Sequence, residues 1–263
     1  MTIQESIRAQ WEAVRNRSVK EKLSYFWEYY GIKSVCILTA AVLLIAFIVN
    51  MVTQKEYGYT GVFFGATAQS AADSYLHDFA QAIGMDTGAY DLTVQSALDI
   101  RMDDTITDET YQAMQSFAAM VAAKMVENIA ADVDLFLYYS YLGYTVDLRT
   151  VFTGEQLAEL GPHLHYIDGE LLRQQENSDE GLTFDYGDCP DSRNPDAMTD
   201  PIPVGIDLVA ATQAFHDSYS FASDKAVIGI CTSSERNSVA LAFLRYAFGL
   251  PLTIPAPMHE YAS

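Results

Sequence analysis

Four tyrosines, Tyr138, Tyr139, Tyr141 and Tyr144, crowd into one short stretch of the chain. Aromatic rings grouped this way can stack on a sugar or surround a cation. Residues 133–139 (VDLFLYY) read as a strand covered on both faces, which would carry the rings to its carboxyl end, where open α/β sheets bind ligands. Packing against neighbouring helices is the plainer role for the same rings. The turn Thr67-Ala68-Gln69-Ser70 follows an expected first strand and opens a helix facing the same side. Gln69 therefore joins Tyr138, Tyr139 and Tyr141 as a candidate ligand-binding residue, although simple helix capping explains the turn equally well.

His163-x-His165 would place two imidazoles on one face of a strand, a start for a metal site that no further Cys or His spacing completes. Asp185, Asp188, Asp191, Asp196 and Asp200 lack the D-x-D-x-D-G spacing of a calcium loop and read as a solvated acidic loop. The chain has no G-x-S-x-G elbow, no H-E-x-x-H pair and no phosphate-cradling glycine loop, so no catalytic residue, metal or cofactor is assigned. Of three cysteines, Cys36 opens an apolar run, leaving Cys189 and Cys231 as the one possible internal disulfide of the acidic part.

These residues need elements to position them. YTGVFF at 59–64 predicts a first strand ended by Gly65. Ala72, Tyr75, Leu76, Phe79, Ala80 and Ile83 recur at helical spacing up to Gly84. Leu92, Val94, Ser96 and Leu98 alternate as a half-buried strand does. Thr107 or Asp108 opens a long helix with Tyr111, Met114, Ala118, Val121, Met125 and Ile129 on one face. Thr153-Gly154-Glu155-Gln156 has the form of a capping box, and the short helix it starts ends at Gly161-Pro162. Residues 163–167 read as a strand and 174–203 as a long surface loop. A helix over 210–221, a buried strand over 226–231 and an apolar helix over 234–248 complete the domain. Strands and helices alternate, which predicts an α/β fold with a mainly parallel sheet.

Before this domain lies a stretch of different character. Residues 35–52 carry no charge and, as a helix extended back to residue 32, span about 30 Å, the thickness of a hydrocarbon core. Lys33 can reach the headgroups, and Tyr25-Phe26-Trp27-Glu28-Tyr29-Tyr30 falls where an interfacial aromatic belt belongs. The long preceding segment and the absence of a small-residue cleavage site argue against a removed signal peptide. Six Lys/Arg precede the run and only Lys55 lies within the twenty residues after it, which predicts an N-terminus left inside the cell. Ile3, Ile7, Trp11 and Val14 are spaced as in a helix lying on the inner leaflet, a pattern that a short solvated helix docked on nothing shares. The expected organisation is a cytoplasmic tail at 1–31, a transmembrane helix at 32–52, an extracellular domain at 57–250 and a tail at 251–263.

Charge sharpens the contrast. Residues 1–34 hold six basic and four acidic side chains, whereas residues 53–263 hold nine basic and 31 acidic ones. A domain so acidic repels phosphate backbones, so nucleic acid is excluded as a partner. The expected partners are membrane lipid, through the one helix, and a small molecule or a membrane or surface protein.

Three stretches carry a resemblance. Ala131-Asp132-Val133-Asp134-Leu135-Phe136-Leu137 after a long helix, Pro203-Val204-Gly205-Ile206-Asp207-Leu208, and the late run from Ser234 to Tyr246 together resemble type 2 solute-binding proteins. With the FWEYY tail before a single apolar helix, the chain is similar to membrane-anchored proteins of Gram-positive bacteria. The resemblance implies a periplasmic-binding-like domain in which residues 138–205 form a reduced second lobe beside a ligand cleft. It further implies a non-enzymatic binding domain. A structural subunit of a membrane complex, marked by an exposed apolar patch, and an extracellular hydrolase, marked by a pocket of perturbed carboxylates, are the alternatives.

Overall fold

A computed structural model describes residues 19–53, 55–96, 98, 100, 107–176 and 189–252. The chain divides into two compact units, Met1–Gln54 and Lys55–Ser263. The described residues of the first form one helix, α1 (Val19–Thr53). Within it Gly31–Met51 is long and apolar enough to cross a membrane, and none of its 18-residue apolar window is buried. The expected amphipathic helix around Ile3–Val14 lies outside the described residues, as do the side chains of Tyr25, Phe26, Tyr29 and Tyr30.

The second unit is a mixed α/β domain built on a six-stranded sheet. Its strands are β1 (Glu56–Phe63), β3 (Tyr90–Gln95), β4 (Asn128–Asp132), β5 (Leu164–Asp168), β6 (Pro201–Asp207) and β8 (Ala226–Ile230), in the order β3-β1-β4-β8-β6-β5. β1 pairs in parallel with β3 and β4, while the β4–β8, β8–β6 and β6–β5 pairs are antiparallel. Thus β1, β3, β4 and β6 run one way, and only β8 and β5 are reversed. The short β2 (Ala66–Ala68) and β7 (Tyr219–Phe221) form a separate antiparallel ribbon.

Alternation along β1 assigns the two faces. Tyr59 and Phe63 face one core, where α2 (Ala72–Ala82) contributes Tyr75, Leu76 and Phe79, and α8 (Asn237–Ala247) contributes Phe243 and Leu244. Val62 and Phe64 face the other core, with Phe117 from α3 (Asp108–Ala122) and Leu135 and Phe136 from α4 (Val133–Tyr141). The sheet is thereby covered on both sides. Glu127, fully buried just before β4, accepts a 2.5 Å hydrogen bond from the Thr60 N–H and a 2.8 Å bond from Arg236 Nε, tying β1, β4 and the start of α8 together.

Several sequence expectations need correction. The run 133–139 is not a strand: β4 ends at Asp132, whose side chain accepts from the Asp134 N–H at 3.1 Å and caps α4. An apolar run without alternation fits a buried helix as readily as a buried strand, and here the small residues of NIAAD took the sheet position. α3 ends at Ala122, followed by Lys124 at φ 57°; it buries Ala113 and Phe117, while Tyr111 is 57% exposed. The expected helix over 210–221 is the shorter α7 (Gln213–Ser218) followed by β7. Residues 174–203 are not one loop, because α6 (Gly169–Glu176) and β6 reach into them; residues 177–188 lie outside the description. Residues 138–205 do not form a second lobe: they deliver β5 and most of β6 to the same sheet. Cys189 and Cys231 are not joined in the expected disulfide. The capping box is present as expected, with Thr153 and Gln156 satisfying each other's backbone at the start of α5 (Gly154–Leu160).

Candidate functional site

β4 and β6 run in the same direction, so Asp132 and Asp207 end them at the same edge of the sheet. Near this carboxyl edge lies a cleft of about 510 Å³, where open α/β sheets commonly take ligands. One wall is α4, through Val133, Asp134, Leu137 and Tyr141. The other wall is His165 and Tyr166 of β5 with the loop Cys189–Arg193, and Lys225 stands before β8.

The position of α4 follows from two glycines beneath it. A Cβ built on Gly205 would lie 2.5 Å from the Phe136 ring, and one on Gly229 would lie 2.7 Å from it. Phe136, fully buried, therefore rests directly on the backbones of β6 and β8 and fixes the helix that forms one wall. The N-terminal end of α4 is joined to Lys225 by a hydrogen bond from the Val133 N–H to the Lys225 carbonyl at 3.1 Å.

The loop wall is held by its own bonds. The Tyr166 N–H donates to the Ser192 carbonyl at 2.8 Å, and Ser192 Oγ lies 2.9 Å from His165 Nδ1. The Arg193 guanidinium pairs with the buried Asp207 carboxylate, while the Arg193 N–H donates to Asp191 Oδ1 at 3.0 Å. Below the cleft the Tyr141 hydroxyl accepts from the Asp168 N–H at 3.2 Å.

Electrostatics follow from these surroundings. His165 is 4% exposed, and burial first, then the Arg193 charge, lower its pKa to about 4 despite the opposing pull of Asp207 and Asp191. The imidazole is neutral at physiological pH. Burial pushes the Tyr141 hydroxyl up to about 12, so it is a neutral phenol. Burial raises the Asp168 carboxyl too, but N–H groups of Thr199, Glu170 and Asp200, with the Arg173 charge, outweigh it and hold the pKa below the ordinary value.

The sequence-derived candidates separate. Tyr141 lines the cleft. Tyr139 is buried in the aromatic core, 4.8 Å from Phe117 and 5.6 Å from Phe64 between ring centroids, with half-buried Tyr138 5.6 Å from it. Gln69 sits on the surface by the β2–β7 ribbon and donates to Ser220 Oγ at 2.8 Å. Only His165 of the histidine pair is in a strand; His163 lies in the 3₁₀ turn before it, so the two do not share a strand face. Among the described residues no group of three or more His, Cys, Asp or Glu side chains could hold a metal ion.

The residues missed by sequence reasoning are Ser192, Arg193, Asp207, Asp134 and Lys225. His165 meets Ser192 across 27 positions of chain and Arg193 meets Asp207 across 14, so no local spacing could announce either pair. Chemically, a serine on a histidine suggests nucleophilic catalysis, but among the described residues the second ring nitrogen, Nε2, has no partner to orient or charge-stabilise it as a base. What the arrangement supplies is a polar, partly aromatic recess of ligand size. Comparison with protein-family models, with curated proteins and with solved structures gives no match.

Proposed function

We propose that this chain is a single-pass membrane protein whose acidic domain, residues 57–250, stands outside the cell and binds a small molecule without transforming it. The cleft between α4 and the loop Cys189–Arg193 carries this reading, because it combines ligand-sized volume with a lining of charged, aromatic and apolar side chains. Support for the anchor comes from the apolar stretch Gly31–Met51 and from the basic residues gathered before it. The resemblance to type 2 solute-binding proteins supports a binding role, although residues 138–205 extend the one sheet instead of forming a second lobe. The alternative of a structural subunit draws less support: among the described residues of the acidic unit, the large exposed apolar side chains are Tyr57, Tyr111 and Val209, which do not make a contiguous stretch of sequence or element.

The test is a thermal-shift screen of the full chain in detergent against sugars, amino acids and their amides, peptides, polyamines and divalent metals. A ligand at 100 times its dissociation constant adds about 2.7 kcal/mol and raises the melting temperature by several degrees. A saturable shift that is weakened by Leu137→Trp, which fills the cleft, is the expected result. Flat responses across the panel would sink the small-molecule reading and direct attention to a protein partner.

A further inference from the structure

The loop Cys189–Arg193 forms one wall of the cleft, and of its five residues only Ser192 is buried. Polar contacts at two residues hold this wall to the sheet. The Tyr166 N–H of the edge strand β5 donates to the Ser192 carbonyl at 2.8 Å, and Ser192 Oγ lies 2.9 Å from His165 Nδ1. Arg193 pairs with Asp207 of β6. Among the described hydrogen bonds, Ser192 is therefore the residue that fastens the loop to β5.

That fastening depends on a neutral imidazole. A buried hydroxyl hydrogen needs an acceptor, and among the described residues Ser192 Oγ has Nδ1 as its one partner. A protonated ring carries hydrogen on both nitrogens, so Nδ1 can no longer accept and the serine proton is stranded. The added charge would also be buried beside a guanidinium. The charged groups around the ring are Arg193 and Asp191 of the loop and Asp207 of β6. Across the cleft α4 brings Asp134 and the neutral phenol Tyr141, which the Cys189 thiol of the loop meets, and Lys225 stands before β8. Burial and Arg193 outweigh Asp207 and Asp191 and keep the closed ring neutral down to about pH 4. Once the loop is lifted and the ring hydrated, it takes up a proton at about pH 6.5, as a free histidine does. Acid below that value therefore favours the lifted loop over the fastened one.

We propose that the loop Cys189–Arg193 is an acid-released strap: protonation of His165 frees Ser192, the loop lifts from the edge of β5, and the cleft loses that wall. At neutral pH the strap is fastened and the cleft complete. As a control on ligand retention this rests on the binding reading above, but the strap itself is tested without a ligand.

The experiment is amide hydrogen exchange on the full chain in detergent, resolved to single residues, between pH 7 and pH 5. This window titrates an ordinary histidine and leaves ordinary carboxylates ionised. The reporter is the Tyr166 N–H, whose bond goes to the strap, and the reference is the Phe64 N–H, bonded to the Ala130 carbonyl at 2.8 Å. After correction for intrinsic rates, Tyr166 protection is expected to fall about twentyfold relative to Phe64 across this window. That factor follows from a ring that protonates at about pH 4 when closed and about pH 6.5 when open. His165→Gln and His165→Asn, which cannot titrate, should each hold the change within about threefold. Melting temperatures at pH 7 show whether each variant keeps the fold. The wild type alone also decides the matter, because one proton makes protection fall by about tenfold per pH unit below about pH 6.5. Flat protection at Tyr166 in the wild type, or an equal fall in folded variants, would mean that His165 does not release the strap. A strap that opens as stated in a chain that binds nothing in the ligand screen removes the binding reading and leaves the switch. A chain that binds a ligand while Tyr166 protection stays flat does the reverse.

Discussion

Burial beside Arg193 keeps the His165 imidazole neutral down to about pH 4, and that has a measurable consequence for the fold. In the unfolded chain the same ring takes up a proton near pH 6.5. Between these values the unfolded state binds a proton that the folded state refuses, so stability is complete above about pH 6.5 and declines as pH falls towards 4. The difference corresponds to about 3 kcal/mol. Denaturant titrations at pH 7 and pH 4.5 are expected to show a loss of this order that is absent from His165→Gln. Carboxylates also titrate in this range, so the informative quantity is the gap between variant and wild type. An equal slope in both proteins would mean that the ring is charged in the fold. The sequence displayed this histidine only as half of a two-histidine spacing. Its actual partners, Ser192 and the Arg193–Asp207 pair, are brought to it by the β5–β6 hairpin and the loop between them, and no residue near His165 in the chain foretells them.

Legibility at the level of elements depended on whether one physical signal acted alone. α2 was readable because its buried residues Tyr75, Leu76, Phe79 and Ala80 follow the helical period and Gly84 stops it at φ 70°. α4 was not, because six of its nine residues are buried and little contrast remains to show a period. What distinguishes it lies elsewhere in the chain, in glycines at 205 and 229 that make room for Phe136. Gly229→Ala places a methyl against that ring and against the Val204 carbonyl at 2.6 Å. It is expected to lower stability by about 1–3 kcal/mol and to weaken any ligand of the cleft, because α4 must shift. Unchanged chemical denaturation would show that the helix does not rest there. The Glu127–Arg236 pair gives a second element-level prediction, since burial raises the Glu127 pKa while the Arg236 charge opposes it. A carboxyl with a raised pKa stabilises the fold most at low pH and loses that contribution as pH rises through its folded value. Arg236→Ala leaves the carboxylate buried without its ion partner, with an expected loss of about 3–5 kcal/mol at pH 7. Adding Glu127→Gln should recover part of this loss, and a double variant as unstable as the single one would refute the account.

For the molecule as a whole, the decisive feature is the division of its charge by one apolar helix. The 31 acidic side chains after residue 52 do not themselves set orientation, because long domains cross largely regardless of charge. Basic residues near the helix ends do, and these lie almost entirely on the N-terminal side: Arg8, Arg15, Arg17, Lys20, Lys22 and Lys33, against Lys55. The expected outcome is that the acidic domain faces outward. In a background with Cys36 and Cys189 changed to serine, Ser70→Cys places a thiol at an exposed position of that domain. A membrane-impermeant maleimide should label it on intact cells, whereas Thr2→Cys should react only after lysis. The reversed pattern would put the domain in the cytoplasm, where a small-molecule cleft would sample a different set of solutes. Labelling of both positions on intact cells, with the cells shown to be sealed, would mean that the stretch Gly31–Met51 does not span the membrane at all. Because the acidic domain is a compact unit of its own, its cleft could persist under either result, so orientation and ligand binding are separate questions answered by separate measurements.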